Sequence, residues 1–122
     1  MSAANNRLEQ LRDIFNNFLQ FVKDATADLI EEKSLRADIT LEIDNFAETV
    51  KNVSDTNLYS LAEILYKKLA ATETLEGKVK AILEKQDRKI SEEQIQKFIL
   101  DDEFREGCEI YIENFDLVLH SK

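Results

Sequence analysis

The sequence predicts an all-α fold, a single-domain antiparallel helical bundle of four to six helices. Apolar residues recur at alternating steps of three and four, which is the spacing of one helix face. Capping residues precede several of these segments, and the 122 residues include two glycines and no proline. Because hairpin-rich β folds need many glycine turns, an all-β fold is excluded. A hydrophobic content of 43% in a chain of this length fits one domain, residues 1–122, with its own core.

The first helix is predicted over residues 6–33, after a short frayed leader at residues 1–6. Its apolar stripe consists of Leu8, Leu11, Phe15, Phe18, Val22, Ala25 and Leu29. The same register continues through Ile39, Ile43, Phe46, Val50 and Val53. Two interpretations follow: one helix of nearly fifty residues with coiled-coil character, or a helical hairpin broken near residues 31–36 with Ser34 as the next N-cap. We favour the hairpin, because globular helices rarely run so long.

The second half of the chain begins after a polar break at residues 54–57, where all four side chains favour caps over helix interiors. One helix is expected from Leu58 to about Gln86, with a restart capped by Thr72 or Thr74 as the alternative. Ser91 and Gln94 then fit a capping box, so a short helix is expected to begin at Glu92. The last helix is predicted from about residue 102 to residue 119, beginning at the acidic cluster 101–103.

The charge balance narrows the choice of partner. The chain carries 25 acidic and 16 basic residues, a formal net charge of −9. Direct binding to nucleic acid is disfavoured because it needs clustered lysine and arginine. No apolar run is long enough for a membrane span, and the first residues lack a basic and apolar secretory signal. These features favour a cytoplasmic protein, with the nucleus as an open alternative.

The residues that usually carry chemistry are scarce. His120 is the single histidine and Cys108 the single cysteine, so the ligands for zinc, di-iron and haem sites are missing. Cys108 stands in register with apolar neighbours and is expected to be a core residue. His120 lies about 18 Å farther along an intact helix, too far for a dyad, and is expected to be a solvated tail residue. We therefore predict no enzyme, no metal and no cofactor.

Two groups of residues are candidates for binding a protein partner. The first is the aromatic stripe of Phe15, Phe18 and Phe21, which is expected to form core, with a partner-facing groove as the alternative. The second is acidic. Residues 67–89 hold seven basic and four acidic residues, whereas residues 92–116 hold nine acidic and two basic ones. One explanation of this uneven charge distribution is that antiparallel neighbouring helices neutralise one another. The other is that the last helix binds a basic partner through its carboxylates, which belong to Glu103, Glu106, Glu109, Glu113 and Asp116.

Three functions remain open at this point. The first is a non-enzymatic helical interaction protein, such as an adaptor, a chaperone-like or regulatory factor or a small subunit of a complex. The second is an acidic inhibitor or immunity-type protein that occludes a basic site on its target. A remote third is a small-molecule binder or enzyme that uses carboxylates, and this would need a pocket. Self-association through the aromatic stripe of the N-terminal hairpin is also compatible with the pattern.

Overall fold

The structure, a computed structural model, describes residues 3–85 and 88–120, with side chains from residue 7 onward in those ranges. The described residues form an all-α bundle, as predicted, and contain no strand. A single antiparallel backbone bridge joins Lys85 to Arg88. The helices are α1 (Ala3–Leu29), α2 (Lys33–Asn52), α3 (Asp55–Ala70), α4 (Leu75–Leu83), α5 (Glu92–Ile99) and α6 (Asp102–His120).

The N-terminal half is a helical hairpin and not one long helix. Helix α1 ends at Leu29, four residues earlier than predicted, and α2 begins at Lys33. Ser34 is not the N-cap that the sequence suggested: the cap position falls on Glu32, and the Ser34 hydroxyl lies 3.1 Å from the Glu32 carboxylate. At the other terminus, α1 begins at Ala3, so part of the predicted frayed leader is helical. Met1 and Ser2, the start of that leader, lie outside the described residues.

The expected single helix from Leu58 to Gln86 is two helices, so that prediction was wrong and its alternative is correct. The Thr74 hydroxyl accepts a hydrogen bond from the backbone N–H of Gly77 at 3.1 Å and caps α4. The Thr72 hydroxyl bonds back to the carbonyl of Lys68, at the last turn of α3. The two threonines satisfy backbone groups on either side of the break at residues 71–74. The predicted end, Gln86, lies outside the described residues, and α4 stops at Leu83.

The capping signals later in the chain are confirmed, with one difference. Ser91 accepts a hydrogen bond from the N–H of Gln94 at 3.1 Å and caps α5, which begins at Glu92 as predicted. The Gln94 side chain does not complete the box; it donates to the carbonyl of Leu29 at 2.7 Å and so ties α5 to the end of α1. Asp101 accepts from the N–H of Phe104 and starts α6.

Helix α1 lies at the centre of the bundle. Helix α2 runs antiparallel to it, because Arg12 reaches the carbonyls of Val50 and Val53 while Lys23 pairs with Asp44. Helix α6 packs on α1 and also contacts α3. An aromatic cluster fills the α1–α6 contact, with Phe15 and Phe18 edge-on to Phe115, Phe18 edge-on to Tyr111, and Phe21 stacked on Phe104. The α1 stripe is therefore covered by the chain's own last helix.

Candidate functional site

The two predicted groups of binding residues lie in different environments. Phe15 and Phe18 are 0% and 4% exposed, and Phe21 is half-buried between Phe104 and Tyr111. A partner has almost no access to the aromatic stripe while the bundle is closed. In contrast, all five predicted carboxylate residues are exposed on α6. The structure thus leaves the acidic group as the accessible half of the predicted site.

The outer face of α6 combines these carboxylates with two exposed aliphatic residues. Ile110 is 53% exposed and Leu117 is 63% exposed. Together with Glu103 they form a row in which each residue follows the previous one by seven positions. Seven residues are about two helical turns, so members of a row share one direction. We define the outer face of α6 as Glu103, Glu106, Glu109, Ile110, Glu113, Asp116 and Leu117. It extends over about 21 Å at a rise of 1.5 Å per residue.

Neighbouring helices do not neutralise this face. Within the described ranges, Glu103, Glu106, Glu109 and Glu113 have no basic group within ion-pair distance, and the partner of Asp116 is His120. Four of the seven basic residues of segment 67–89 form ion pairs with described residues, and they do so within their own helices or with α2: Lys67–Glu63, Lys80–Glu76, Lys85–Glu42 and Arg88–Asp38. The expected complementarity between antiparallel neighbours is thus not found in this part of the chain. Because like charges gather on one side of a helix, the face presents a negative potential to solvent.

His120 is better connected than the sequence suggested. Its Nδ1 lies 2.7 Å from the Asp116 carboxylate, and its Nε2 lies 2.8 Å from the Glu63 carboxylate on α3. Only the protonated ring can donate to both oxygens. These hydrogen bonds, first to Asp116 and then to Glu63, raise the pKa of His120, and the His120 contact lowers the pKa of Asp116. The side chain is 43% exposed, as expected of a solvated residue, but its contacts with two carboxylates were not predicted. The i, i+4 spacing from Asp116 was the available signal.

Cys108 is a core residue, as predicted. It is 3% exposed, and burial, with a smaller effect from Glu109, raises the pKa of its thiol to about 12, although Lys78 acts in the opposite direction. A thiol with this pKa is almost entirely protonated at neutral pH, so it is a poor nucleophile.

Sequence reasoning missed a groove of about 1070 Å³ that lies between α2 and a wall formed by α3 and α4. We call it the α2 groove. Its floor consists of Phe18, Leu19 and Val22 of α1. The α2 side carries Asp38, Leu41, Glu42, Ile43, Asn45, Phe46 and Thr49, and the opposite side carries Leu65, Lys68, Ala81, Ile82, Glu84, Lys85 and Arg88. The signal in the sequence was Leu41, an apolar residue outside the α2 core stripe that is 61% exposed.

A cluster of ion pairs links α2 to the end of α4 in this groove. The Arg88 guanidinium lies 2.8 Å from Asp38 and 2.7 Å from Glu42, and it also donates to the carbonyl of Leu83. Lys85 adds a second pair to Glu42 at 2.9 Å. Burial raises the pKa of Glu42, but the hydrogen bonds from Arg88 and Lys85 outweigh this effect and the net pKa is lowered. We call these four side chains the Arg88 cluster.

The described residues lack a metal site and a membrane-spanning helix. No group of three or more histidine, cysteine, aspartate or glutamate side chains there is arranged to hold a metal ion. None of the described helices combines the length and the hydropathy that crossing a membrane requires.

Comparison with known proteins adds no family to this description. The chain matches no family model, and searches of curated proteins and of solved structures find no match.

Proposed function

We propose that this chain is a non-enzymatic interaction protein that binds a protein partner through the outer face of α6. The observation that carries the proposal is the coincidence of exposed carboxylates with Ile110 and Leu117 on one exposed helix face. The matching partner surface is apolar at its centre and basic around it, because such a surface satisfies both kinds of side chain.

The two kinds of side chain contribute differently to binding. Full burial of a fully exposed aliphatic side chain of this size is worth about 1.5–3 kcal/mol, and Ile110 and Leu117, which are 53% and 63% exposed, can supply roughly half of that each. Exposed ion pairs are worth about 0–1 kcal/mol each and mainly raise the association rate by attracting an oppositely charged surface. The carboxylates therefore select a basic partner, and the aliphatic residues hold it.

The spacing of the carboxylates favours one second candidate. Glu106, Glu109, Glu113 and Asp116 follow one another at three and four residues and form a continuous acidic row. An inhibitor that occludes a basic site on its target would present such a row and would depend less on Ile110 and Leu117. Salt dependence separates the two candidates, because screening weakens exposed ion pairs far more than apolar contacts.

The test is a capture experiment from the native cell extract with three matched variants. Glu106→Lys/Glu113→Lys reverses the charge at two of the carboxylate positions of the face, Ile110→Ser/Leu117→Ser removes its aliphatic residues, and Glu9→Lys/Asp13→Lys makes the same charge change on exposed positions of α1. We expect the α1 variant to capture the wild-type partner set and both α6 variants to lose a stoichiometric partner.

The same experiment at low and high salt assigns the mode of binding. A partner retained at high salt but lost with the serine variant supports the interaction protein. A partner released by salt and insensitive to the serine variant supports the inhibitor. If the wild type and both α6 variants capture identical proteins in identical amounts, the proposal is wrong.

A further inference from the structure

The outer face of α6 ends in a group of ionisable side chains that also includes a residue of α3. His120 follows Glu113 by seven positions, so it continues one row of that face at its C-terminal end. Its ring lies between the Asp116 carboxylate of α6 and the Glu63 carboxylate of α3, at 2.7 Å and 2.8 Å. We call these three side chains the His120 cluster. We propose that the proton on His120 regulates partner binding to the outer face of α6, an inference that rests on the proposed function.

The geometry of the cluster makes the proton decisive. An ionised carboxylate can only accept hydrogen bonds, so each ring nitrogen needs its own hydrogen to bond the oxygen that it faces. The imidazolium has hydrogen on both nitrogens and holds Asp116 and Glu63 at the same time. The neutral ring has one such hydrogen, and its other nitrogen presents a lone pair to a carboxylate. Loss of the proton therefore releases one of the two carboxylates.

Deprotonation also changes the charge at this end of the face, whichever carboxylate is released. One cation beside two carboxylates leaves the cluster a net charge of −1, and the neutral ring leaves it at −2. Asp116 belongs to the outer face of α6, and among the described residues its ion-pair partner is His120. With the neutral ring, all five carboxylates of the face act on a partner without a neighbouring cation. A basic partner is then attracted more strongly.

Two further groups of α3 border the cluster. The Lys67 ammonium lies 3.9 Å from the Glu63 carboxylate, and an exposed lysine stays charged throughout the range in which histidine titrates. The Tyr66 ring lies edge-on to the imidazole with centroids 5.1 Å apart. Burial, and then the Asp116 carboxylate, raise the pKa of Tyr66, so its hydroxyl stays neutral in that range. The group of this cluster that changes charge near neutral pH is thus His120.

The ring exchanges protons freely and favours the charged form. Its side chain is 43% exposed, so it equilibrates with solvent without any opening of the bundle. Hydrogen bonds to Asp116 and then to Glu63 raise the pKa of His120. Because the ordinary pKa of histidine is about 6.5, the cation persists above that pH and the neutral ring appears as the pH rises through the folded pKa. Partner binding should therefore strengthen in the same interval.

The size of the effect follows from the removal of one exposed charge. Affinity for a basic partner should rise by up to about fivefold when His120 loses its proton, which corresponds to about 1 kcal/mol. Most of the change should appear in the association rate, and high salt should reduce it. By linkage, a bound basic partner must lower the pKa of His120 by the same free energy.

The first test is an NMR titration of the purified full chain. His120 is the single histidine, so its ring resonances report this proton alone. We expect a pKa above about 6.5 in the wild type and a lower pKa in both Glu63→Gln and Asp116→Asn. Glu48→Gln on α2 and Asp28→Asn on α1 make the same changes at exposed positions and should leave the pKa unchanged. A wild-type pKa at or below about 6.5, or one that Glu63→Gln does not lower, would overturn the inference.

The second test repeats the capture experiment with the charge at residue 120 fixed. His120→Arg keeps this exposed position charged and His120→Gln keeps it neutral, and partner capture is compared at one pH below and one pH above the measured pKa. The wild type should match the arginine variant at the lower pH and the glutamine variant at the higher pH. At the lower pH, the glutamine variant should retain up to about fivefold more partner. Comparison of variants within each pH cancels titration of the partner itself.

Contrary results separate this inference from the proposed function. If the three proteins capture a partner equally at both pH values, the inference is overturned and the proposed function stands. If the arginine variant retains more partner than the glutamine variant, the charge acts in the opposite direction and the inference is wrong. If none of the three captures a partner at either pH, the proposed function fails and the regulation fails with it, even where the NMR titration shows the ring joined to both carboxylates.

Discussion

At Gly107, the structure and intrinsic helix propensity predict opposite effects of substitution by alanine on the stability of the protein. Gly107 lies inside α6, where alanine normally stabilises a helix by about 1 kcal/mol relative to glycine. A Cβ atom at this position would lie 2.3 Å from Cε1 and 2.5 Å from Cζ of Phe21. The optimal separation of two carbon atoms is about 3.5–4.0 Å. The Phe21 ring must therefore retreat by about 1 Å or more to admit a single methyl group.

The surroundings of Phe21 limit that movement. Its ring stacks on Phe104 with centroids 5.5 Å apart and planes inclined by 13°, and it contacts Tyr111 at 5.3 Å. Overpacking of this kind costs about 1–3 kcal/mol. After subtraction of the propensity gain, Gly107→Ala should destabilise the protein by about 0–2 kcal/mol.

A double-mutant cycle separates the two opposing effects. Phe21→Ala removes the obstructing ring, so Gly107→Ala in that background should stabilise the protein by about 1 kcal/mol. The coupling energy between the two substitutions should then be about 1–3 kcal/mol. Urea unfolding followed by far-ultraviolet circular dichroism measures all four free energies. If Gly107→Ala stabilises the wild type as much as it stabilises the Phe21→Ala protein, the close approach of α1 and α6 described above is wrong.

Four further predictions concern single residues. Thr74→Ala should lower the free energy of unfolding by about 1 kcal/mol, whereas Ser34→Ala should leave it nearly unchanged, because Thr74 caps a helix and Ser34 does not. Arg88→Ala should cost about 1–3 kcal/mol, because its carboxylate partners lose their hydrogen bonds in a partly buried site. The pKa of His120 is raised in the folded protein, so its stabilising contribution is complete below the unfolded pKa of about 6.5 and is lost as pH rises through the folded value. The advantage in melting temperature of the wild type over His120→Gln should therefore shrink as the pH rises from about 6.5 through the folded pKa of His120. Cys108, with a buried thiol and a pKa of about 12, should react with a thiol reagent only as fast as the bundle opens.

Each of these has a clear contrary result. Equal losses for the two capping variants would mean that the helix breaks are misplaced. An Arg88→Ala protein as stable as the wild type would show that its ion pairs contribute nothing. A pH-independent difference between the wild type and His120→Gln would remove the ring from both carboxylates. Rapid labelling of Cys108 under native conditions would show that it is accessible.

The helices were predictable because their signals are local. The α1 stripe, with Leu11 and Phe15 at its centre, is buried as the three-four spacing indicated. The side-chain cap of α5 by Ser91 was also readable, since the hydroxyl and the N–H that it accepts are three residues apart. The break at Thr74 was harder to predict, because a cap residue within a helical pattern competes with continuation and packing decides the outcome.

Candidate binding residues were predictable only in part. The carboxylates of α6 were identified from their number and spacing, and the structure leaves them exposed. The exposure of Ile110 and Leu117 was not identified, because an apolar residue beside a core stripe has two possible environments until its neighbours are known. The α2 groove depends on a gap between helices that are distant in sequence, and its one local signal was Leu41, an apolar residue outside the α2 core stripe.

The sequence by itself determined the helical fold class, the acidic character and the lack of ligands for a histidine- or cysteine-based metal site. These properties follow from composition and from spacings of three to seven residues along one helix. Tertiary structure alone decided that α6 covers the aromatic stripe, that His120 joins Glu63 across 57 positions and that Arg88 reaches Asp38 across 50. The physical reason is that such contacts depend on how helix faces pack in three dimensions, and packing is selected by the burial and shape of the whole core.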